Sequence, residues 1–233
     1  MFFHMNKYIT ILIFLLLPAN LYFFGKTLNY YFNLNDKNKF LRHNYESYVN
    51  EYTTLNRIYK KSNPIVFAGD SIMRRYAVEE YFPMATVVNR GIFHDTSAGL
   101  FDRWNSTVST LSPELSVVMI GTNDILNNRE KFIIQNIKKI LDNATPNSII
   151  VLSIPPFGSI HCEHNTIVLD INIKLKTLVE SKNQYWVDVY SDLSDKNGCL
   201  SQEFSADGIH LNGMGYSILT SRLKKLSAVC FTR

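Results

Sequence analysis

Short apolar runs alternate with helical patterns from Pro64 to the end of the chain. Runs of this kind, rich in β-branched residues and bounded by glycine or polar residues, predict buried β-strands. The five predicted strands are Ile65–Ala68, Thr86–Val88, Ser116–Ile120, Ser148–Ile154 and Tyr185–Val187. The four longer predicted helices are Thr96–Thr110, Arg129–Asn143, Asn165–Ser181 and Asn212–Leu226. This alternation implies right-handed crossovers, and therefore an α/β fold with a central parallel five-stranded sheet in a three-layer α/β/α arrangement.

The first 25 residues have a different pattern, because no charged residue lies between Lys7 and Lys26. An apolar helix of about 17 residues is the lower limit for crossing a bilayer. Since the segment is terminal, apolar on all faces and preceded by a lysine, we expect an uncleaved signal anchor, one transmembrane helix. A cleaved signal peptide and a buried core helix are the alternatives. The following domain is expected outside the cytoplasm, membrane-anchored by a single pass, or secreted if the segment is cleaved.

A polar linker and an amphipathic helix are predicted next. Residues 29–38 are rich in asparagine, and tyrosine and leucine then recur in steps of three and four from Leu41 to Tyr59. This spacing predicts one apolar helical face that packs on its own domain, because tyrosine at most seam positions makes a poor coiled coil. The predicted divisions of the chain are 1–25, 26–62 and 63–233.

Composition narrows the class of function. The chain has 233 residues, of which 46% are hydrophobic, enough for one packed domain after the N-terminal segment is set aside. The net charge is +4, and no basic run is interleaved with aromatic residues. We therefore expect no nucleic-acid partner.

Polar clusters follow three of the predicted strands, and a fourth lies near the carboxyl end of the chain. They contain Ser71, the segment Asn89–Thr96, the segment Gly121–Asp124 and the segment Asp207–Asn212. Open α/β sheets bind their ligands at the carboxyl ends of the strands. If the strands are parallel, the four clusters can meet on one edge of the sheet.

The residue types in these clusters predict serine-nucleophile chemistry. A serine hydroxyl is a weak nucleophile, so Ser71 needs a base, which His210 can supply. Asp207 can orient that imidazole, and the oxyanion of the attacked carbonyl needs fixed donors. The candidate donors are the backbone N–H of Ser71, the Asn123 amide and a backbone N–H of the second cluster. Each cluster alone is also typical of a turn or a helix cap, but four clusters with complementary roles favour catalysis.

The clusters resemble the sequence blocks of the SGNH, or GDSL-type, hydrolases, in the branch similar to platelet-activating-factor acetylhydrolases. The resemblance runs in order from Pro64 to Leu226. The matching segments are Gly69-Asp70-Ser71-Ile72, Val87–Ile92, Val118–Asp124, and Asp207–Asn212 followed by Gly215-Tyr216. This resemblance implies a flavodoxin-like three-layer fold, a Ser-His-Asp machinery, ester substrates, and neither metal nor cofactor.

One position departs from the family pattern. The second block of the family usually continues Gly-Ile-Ser-Gly-Asp, and its second glycine supplies an oxyanion N–H, whereas this chain has His94 there. We expect His94 to donate through its backbone and to narrow the acyl site toward small groups. If the position needs a positive φ, a histidine is strained there, and a rearranged loop with weak catalysis is the alternative.

The cysteines and the remaining histidines leave two questions open. Cys162 and Cys199 can form a bridge that fixes the loop carrying the acid and the base, or they can remain free thiols beside Cys230. His161 and His164 have a spacing that zinc can use, but no second ligand pair is visible, so we expect a polar loop and no metal.

The sequence therefore predicts a serine esterase that hydrolyses short acyl esters, acetyl esters above all, on a carbohydrate or a lipid. An O-acyltransferase for cell-envelope glycans is an alternative, because an acyl-enzyme can also react with a sugar hydroxyl. A catalytically idle carbohydrate-binding protein on the same fold is the other alternative. The oligomeric state is left open.

Overall fold

The computed structural model describes residues 26–27, 29, 34, 36, 38–59, 61, 63–143 and 148–226. The chain divides into two compact units, Met1–Glu46 and Ser47–Arg233. The predicted anchor at 1–25 lies outside the described residues, and the domain boundaries predicted from the sequence stay predictions. No helix in the described part of the chain is both long enough and apolar enough to span a bilayer.

All five predicted strands are present in the second unit and form one parallel sheet, as expected. Their spatial order is 2-1-3-4-5, which is the flavodoxin-like order. Gly69 is aligned with Gly91 on one side and with Met119 on the other, so the three neighbouring strands end level. The loops that follow them therefore leave the sheet at the same edge. The strands are β1 Ile65–Gly69, β2 Val87–Gly91, β3 Leu115–Met119, β4 Ser148–Leu152 and β5 Tyr185–Val187.

Helices cover both faces of this sheet. Along β1, Val66 and Ala68 belong to one buried core, whereas Ile65 and Phe67 belong to the other. Burial on both faces explains why the strands are apolar almost without interruption. The helices are α1, whose residues 47–58 belong to this unit, α2 Ser71–Arg74, α3 Val78–Tyr81, α4 Ser97–Thr107, α5 Thr122–Leu126, α6 Ile133–Asp142, α7 Asn165–Ser181, α8 Tyr190–Leu193 and α9 Gly213–Leu226.

The ends of several elements differ from the predictions. Strand β2 extends to Gly91 because the polar residues Asn89 and Arg90 still pair through their backbones with β1. Helix α6 starts later than predicted, after a 3₁₀ turn at Glu130–Phe132. The short helices α2, α3, α5 and α8 were absent from the sequence prediction, because a single turn has no measurable periodicity.

Helix α1 packs on the rest of its own unit, but not with all the residues that the sequence predicts. Tyr52 is buried, whereas Leu55, a member of the predicted stripe, is exposed. Asn56 lies against the domain instead, and its amide nitrogen donates to the carbonyl oxygens of Ser106 and Thr107. A polar residue with good partners is therefore part of the inner face of this helix.

Candidate active site

Ser71 is the first residue of α2, directly after β1. The Oδ1 atom of Asp70 caps this short helix by accepting from the backbone N–H of Ile72 at 2.9 Å. The turn requires glycine at position 69, since a Cβ atom there would lie 1.9 Å from the carbonyl oxygen of Met119. The backbone therefore places the Ser71 hydroxyl at the end of β1, between β2 and β3, in nearly buried surroundings.

A chain of hydrogen bonds joins Ser71 to two residues far along the sequence. His210 Nε2 lies 2.9 Å from Ser71 Oγ, and His210 Nδ1 lies 2.7 Å from Asp207 Oδ2. The loop between α8 and α9 brings both partners to the nucleophile. The structure thus brings together three of the predicted site residues in the order that a hydroxyl, a base and an orienting carboxylate require.

Asp207 is held in its ionised form by its own loop. Partial burial raises the pKa of this carboxyl, but hydrogen bonds from the backbone N–H and ring of His210, and from the backbone N–H of Ile209, outweigh it and lower the pKa well below its usual range. Asp207 Oδ1 accepts from the backbone N–H of His210 at 2.7 Å and from that of Ile209 at 3.0 Å. The other oxygen, Oδ2, is therefore a fixed anionic acceptor for the imidazole.

The predicted oxyanion donors lie on the loops after β2 and β3. Asn123 is in the first turn of α5, and its Nδ2 donates to the backbone carbonyl of Asp95 at 2.9 Å. An amide nitrogen carries two N–H groups, so one can hold this loop while the other serves a substrate oxygen. The segment Ile92–Thr96, which we call the oxyanion loop, contains His94.

His94 has a φ of 62°, in the left-handed region, and its side chain is exposed. The Asp95 N–H donates to the Ile92 carbonyl at 3.3 Å, so His94 is the third residue of a turn, a place where glycine is preferred. A non-glycine residue in this region costs about 1–2 kcal/mol. The strain foreseen for a histidine here is therefore present, and its predicted effect on the acyl site stays a prediction.

Residues 67–218 match the family model of the GDSL-like Lipase/Acylhydrolase family. The chain belongs to this family. It is a carboxylic-ester hydrolase. The family match confirms the resemblance to SGNH hydrolases that the sequence motifs indicate. Its sequence is 28% identical over 175 residues to human platelet-activating factor acetylhydrolase IB subunit alpha2, covering 71% of this chain and 76% of the relative.

Solved structures support the same fold. A protein from Streptococcus pneumonia described as a platelet activating factor is 28% identical, with a TM-score of 0.75 over 81% of this chain and 94% of that one. The acetylxylan esterase Axe2 from Geobacillus stearothermophilus is 19% identical, with a TM-score of 0.61 over 75% of this chain and 99% of its own. At that identity, the second likeness concerns the fold alone.

A buried ion pair fixes the oxyanion loop of the hydrolase. Arg103 of α4 contacts Asp95 at 2.8 Å, and both side chains are at most 2% exposed. The same guanidinium donates to the carbonyl of Gly69 at 3.1 Å, so it joins the loop to the end of β1. Sequence analysis missed Arg103, because a single arginine in a helical pattern gives no signal that distinguishes a buried partner from a solvated one.

Asp124 connects the helices that follow β2 and β3 in the hydrolase. Its carboxylate accepts from the Ser97 hydroxyl at 2.7 Å and from the Ser97 backbone N–H at 2.8 Å, at the start of α4. Burial raises the pKa of Asp124, although the Ser97 hydrogen bonds oppose that rise. The carboxylate therefore joins α5 to the start of α4. This structural role is close to that of a helix cap, which the sequence left open as an alternative to catalysis for this cluster.

Asp70 is fully buried beside the nucleophile. Desolvation, more than the nearby Asp95 and Asp124, raises the pKa of its carboxyl to about 7, although the hydrogen bond from Ile72 lowers it. Oδ2 of Asp70 has no hydrogen-bond partner within the described part of the chain. Through its bond to the Ile72 N–H, Asp70 organises the turn that carries the nucleophile.

Cys162 and Cys199 of the hydrolase form a disulfide, the bridge that the sequence left open against free thiols. The bridged loop contacts the acid–base loop, since the Gly158 N–H donates to the Gly208 carbonyl at 2.7 Å. Near the bridge, the ligand atoms of His161, Glu163 and His164 lie within 4.8 Å of one another. Within the described part of the chain, these three residues are the group that could hold a metal ion. Cys162 cannot join them as a thiolate, because its sulfur is in the disulfide. The expectation of no metal stays a prediction.

Proposed function

We propose that this hydrolase cleaves short acyl esters, acetyl esters above all, on a carbohydrate or lipid substrate through an acyl-enzyme. The observation that carries the proposal is the continuous contact from Asp207 through His210 to the Ser71 hydroxyl. Each of these three side chains has the hydrogen-bond partner that its role in acyl transfer requires.

In the first step, Ser71 Oγ attacks the ester carbonyl while His210 Nε2 takes the hydroxyl proton. The carbonyl oxygen gains the negative charge, and the Asn123 amide and the backbone N–H groups of Ser71 and His94 are the proposed donors to it. Asp207 holds the ring and stabilises the imidazolium. When the tetrahedral intermediate collapses, the C–O bond to the alcohol breaks and His210 returns its proton to the leaving oxygen.

Water completes the cycle by the same route. His210 removes a proton from a water molecule, which attacks the acyl-enzyme and releases the carboxylic acid and free Ser71. A sugar hydroxyl in place of water would transfer the acyl group instead. The proposal of hydrolysis is therefore tested by following free acetate against transfer to an added oligosaccharide.

The preference for short acyl groups is supported by two independent considerations. His94 stands where a glycine is usual in the family, and its side chain adds bulk beside the proposed oxyanion donors. The human relative is named as an acetylhydrolase. Replacement His94→Gly tests the first point: the turnover of p-nitrophenyl butyrate should rise relative to that of the acetate. An unchanged ratio would show that His94 does not narrow the site.

A fluorophosphonate probe tests the reactive serine directly. We expect covalent labelling of the wild-type protein, none of Ser71→Ala, and full labelling of Ser181→Ala, which removes an exposed hydroxyl at the end of α7. Hydrolysis of p-nitrophenyl acetate should fall at least a thousandfold in Ser71→Ala, roughly the loss for a nucleophile in a triad. Equal labelling of the wild type and Ser71→Ala would refute the proposal and favour an idle binding protein.

The place of action that we propose is outside the cytoplasm, with the N-terminal segment as a membrane anchor. The absence of charge between Lys7 and Lys26 supports this, and the disulfide suits an oxidising compartment. The test is fractionation of cells that express the full chain, followed by external protease. Recovery of the enzyme in the soluble cytoplasmic fraction, protected from protease, would refute it.

A further inference from the structure

The oxyanion loop holds a strained residue, so its neighbours must fix it from both sides. His94 adopts a φ of 62° within this loop. On the side that follows His94, the Asp95 carbonyl accepts from Asn123, and the Asp95 carboxylate pairs with Arg103. On the side that precedes His94, the Ile92 N–H donates to the Gly69 carbonyl at 3.0 Å.

Helix α1 supplies contacts on that preceding side. The hydroxyl of Tyr52 donates to the carbonyl of Gly91 at 2.8 Å, in buried surroundings. Gly91 is the last residue of β2, directly before the oxyanion loop. The hydrogen bond therefore fixes the point at which the chain enters the loop.

The second contact involves Phe93, which is adjacent to His94. Its ring meets the ring of Tyr48 edge-on, with centroids 6.2 Å apart. The guanidinium of Arg74 lies 5.6 Å from the Tyr48 ring centre and 6.0 Å from that of Phe93. Tyr48 and Tyr52 are four residues apart, on the same face of α1, so one helical face contacts the loop at two places.

The helix itself is well placed to act as a support. Asn56, a further turn along α1, donates to the end of α4 and accepts from Arg90 Nη2 at 2.7 Å. Residues 47–58 lie before the segment 67–218 that matches the family. The support therefore comes from outside the segment that matches the family model, and it acts on a segment that has a histidine where that family usually has a glycine.

We propose that Tyr52 and Tyr48 are positioning residues, which hold the oxyanion loop so that His94 keeps its strained backbone and aims its N–H at the oxyanion. This rests on the proposed function, in which that N–H is a donor. The helix before the family-matched segment is then a working part of the catalytic site. The proposal also explains how a histidine is tolerated at this position.

The test compares Tyr52→Phe with the matched variant Tyr59→Phe. Tyr59 directly follows α1, so this variant also removes one tyrosine hydroxyl. Loss of one hydrogen bond should lower kcat for p-nitrophenyl acetate in Tyr52→Phe about three- to tenfold, with KM within about twofold. Tyr59→Phe should keep the wild-type values. Tyr48→Ala should act in the same direction as Tyr52→Phe, because it removes the ring that contacts Phe93.

The same substitution made in the His94→Gly variant distinguishes a positioning role of Tyr52 from a general loss of stability. Glycine adopts the left-handed conformation without strain, so the loop should need less support in His94→Gly. In that background, Tyr52→Phe should lower kcat by less than about twofold. An equal loss in both backgrounds, or a wild-type kcat in Tyr52→Phe, would overturn the proposal.

A structural readout distinguishes this proposal from the proposed function. If the wild type and Ser71→Ala hydrolyse the ester equally slowly, the proposed function fails, and kcat cannot judge the role of Tyr52. Deuterium uptake by the segment 92–96 then decides it. Faster uptake in Tyr52→Phe than in Tyr59→Phe supports the positioning role, and equal uptake overturns it.

Discussion

The side-chain amide of Asn123 donates to the backbone carbonyl of Asp95 at 2.9 Å, and this bond joins the loops that follow β3 and β2. Asn123 therefore has two tasks in the proposed mechanism. It is itself a donor to the oxyanion, and it holds the loop that carries the His94 N–H. Loss of this side chain should affect both donors.

We expect Asn123→Ala to lower kcat for p-nitrophenyl acetate by about a hundred- to a thousandfold, the usual loss for one oxyanion donor. Asn143→Ala is the matched control, because Asn143 is an exposed residue just after α6. Steady-state kinetics check this. A raised KM with unchanged kcat would mean that Asn123 binds the ground state and the transition state equally, and does not stabilise the oxyanion selectively.

Asp207→Asn should lower kcat by about a thousandfold or more while the protein stays folded, because an amide can hold the imidazole in the wrong tautomer. The carboxylate of Asp207 is the acceptor for His210 Nδ1. Asp170→Asn, at an exposed ion pair of α7, is the control for the loss of one charge. Retention of activity in Asp207→Asn would place the orienting group elsewhere.

Asp70 should make stability depend on pH. Its pKa is raised to about 7 in the folded protein, chiefly by burial, above its ordinary value of 3.8. The folded state therefore binds this proton more tightly than the unfolded state. The resulting stability is complete below about pH 4 and is lost as the pH rises through 7, by about 4 kcal/mol at about 1.4 kcal/mol for each pKa unit.

The variant Asp70→Asn tests this sign, since an amide cannot ionise. Between pH 5 and pH 8 the free energy of unfolding should fall more steeply in the wild type than in Asp70→Asn. Asp170→Asn should keep the wild-type slope. Parallel curves for the wild type and Asp70→Asn, measured by urea unfolding, would show that Asp70 does not take up a proton on folding.

The disulfide should stabilise the acid–base loop. Cys162 and Cys199 are separated by 37 positions, and the loop carrying Cys162 bonds the Gly208 carbonyl through Gly158. Replacement of both cysteines by serine should lower the free energy of unfolding by about 2–4 kcal/mol. We also expect a lower kcat, because Gly208 lies between Asp207 and His210. Unfolding and kinetics of the double variant check both, with Cys230→Ser as the control.

Much of the fold could be predicted because strand and helix patterns are local. The apolar run before Ser71 specifies a strand that is buried on both faces, and helix Asn165–Ser181 has the predicted bounds. The identity of Ser71, Asn123, Asp207 and His210 as the candidate machinery also followed from the sequence. These residues belong to short motifs whose chemistry is complementary, so their types and order alone point to acyl transfer.

The sequence by itself determined the five strands, the four longer helices and the groups that are available for chemistry. Only the tertiary structure decided which of them meet. Arg103 has the same helical pattern whether it faces solvent or Asp95, and the tyrosines of α1 indicate a buried face without naming Gly91 or Phe93 as its partners. The physical reason is that periodicity records the direction in which a side chain points, whereas its partner depends on how distant segments pack.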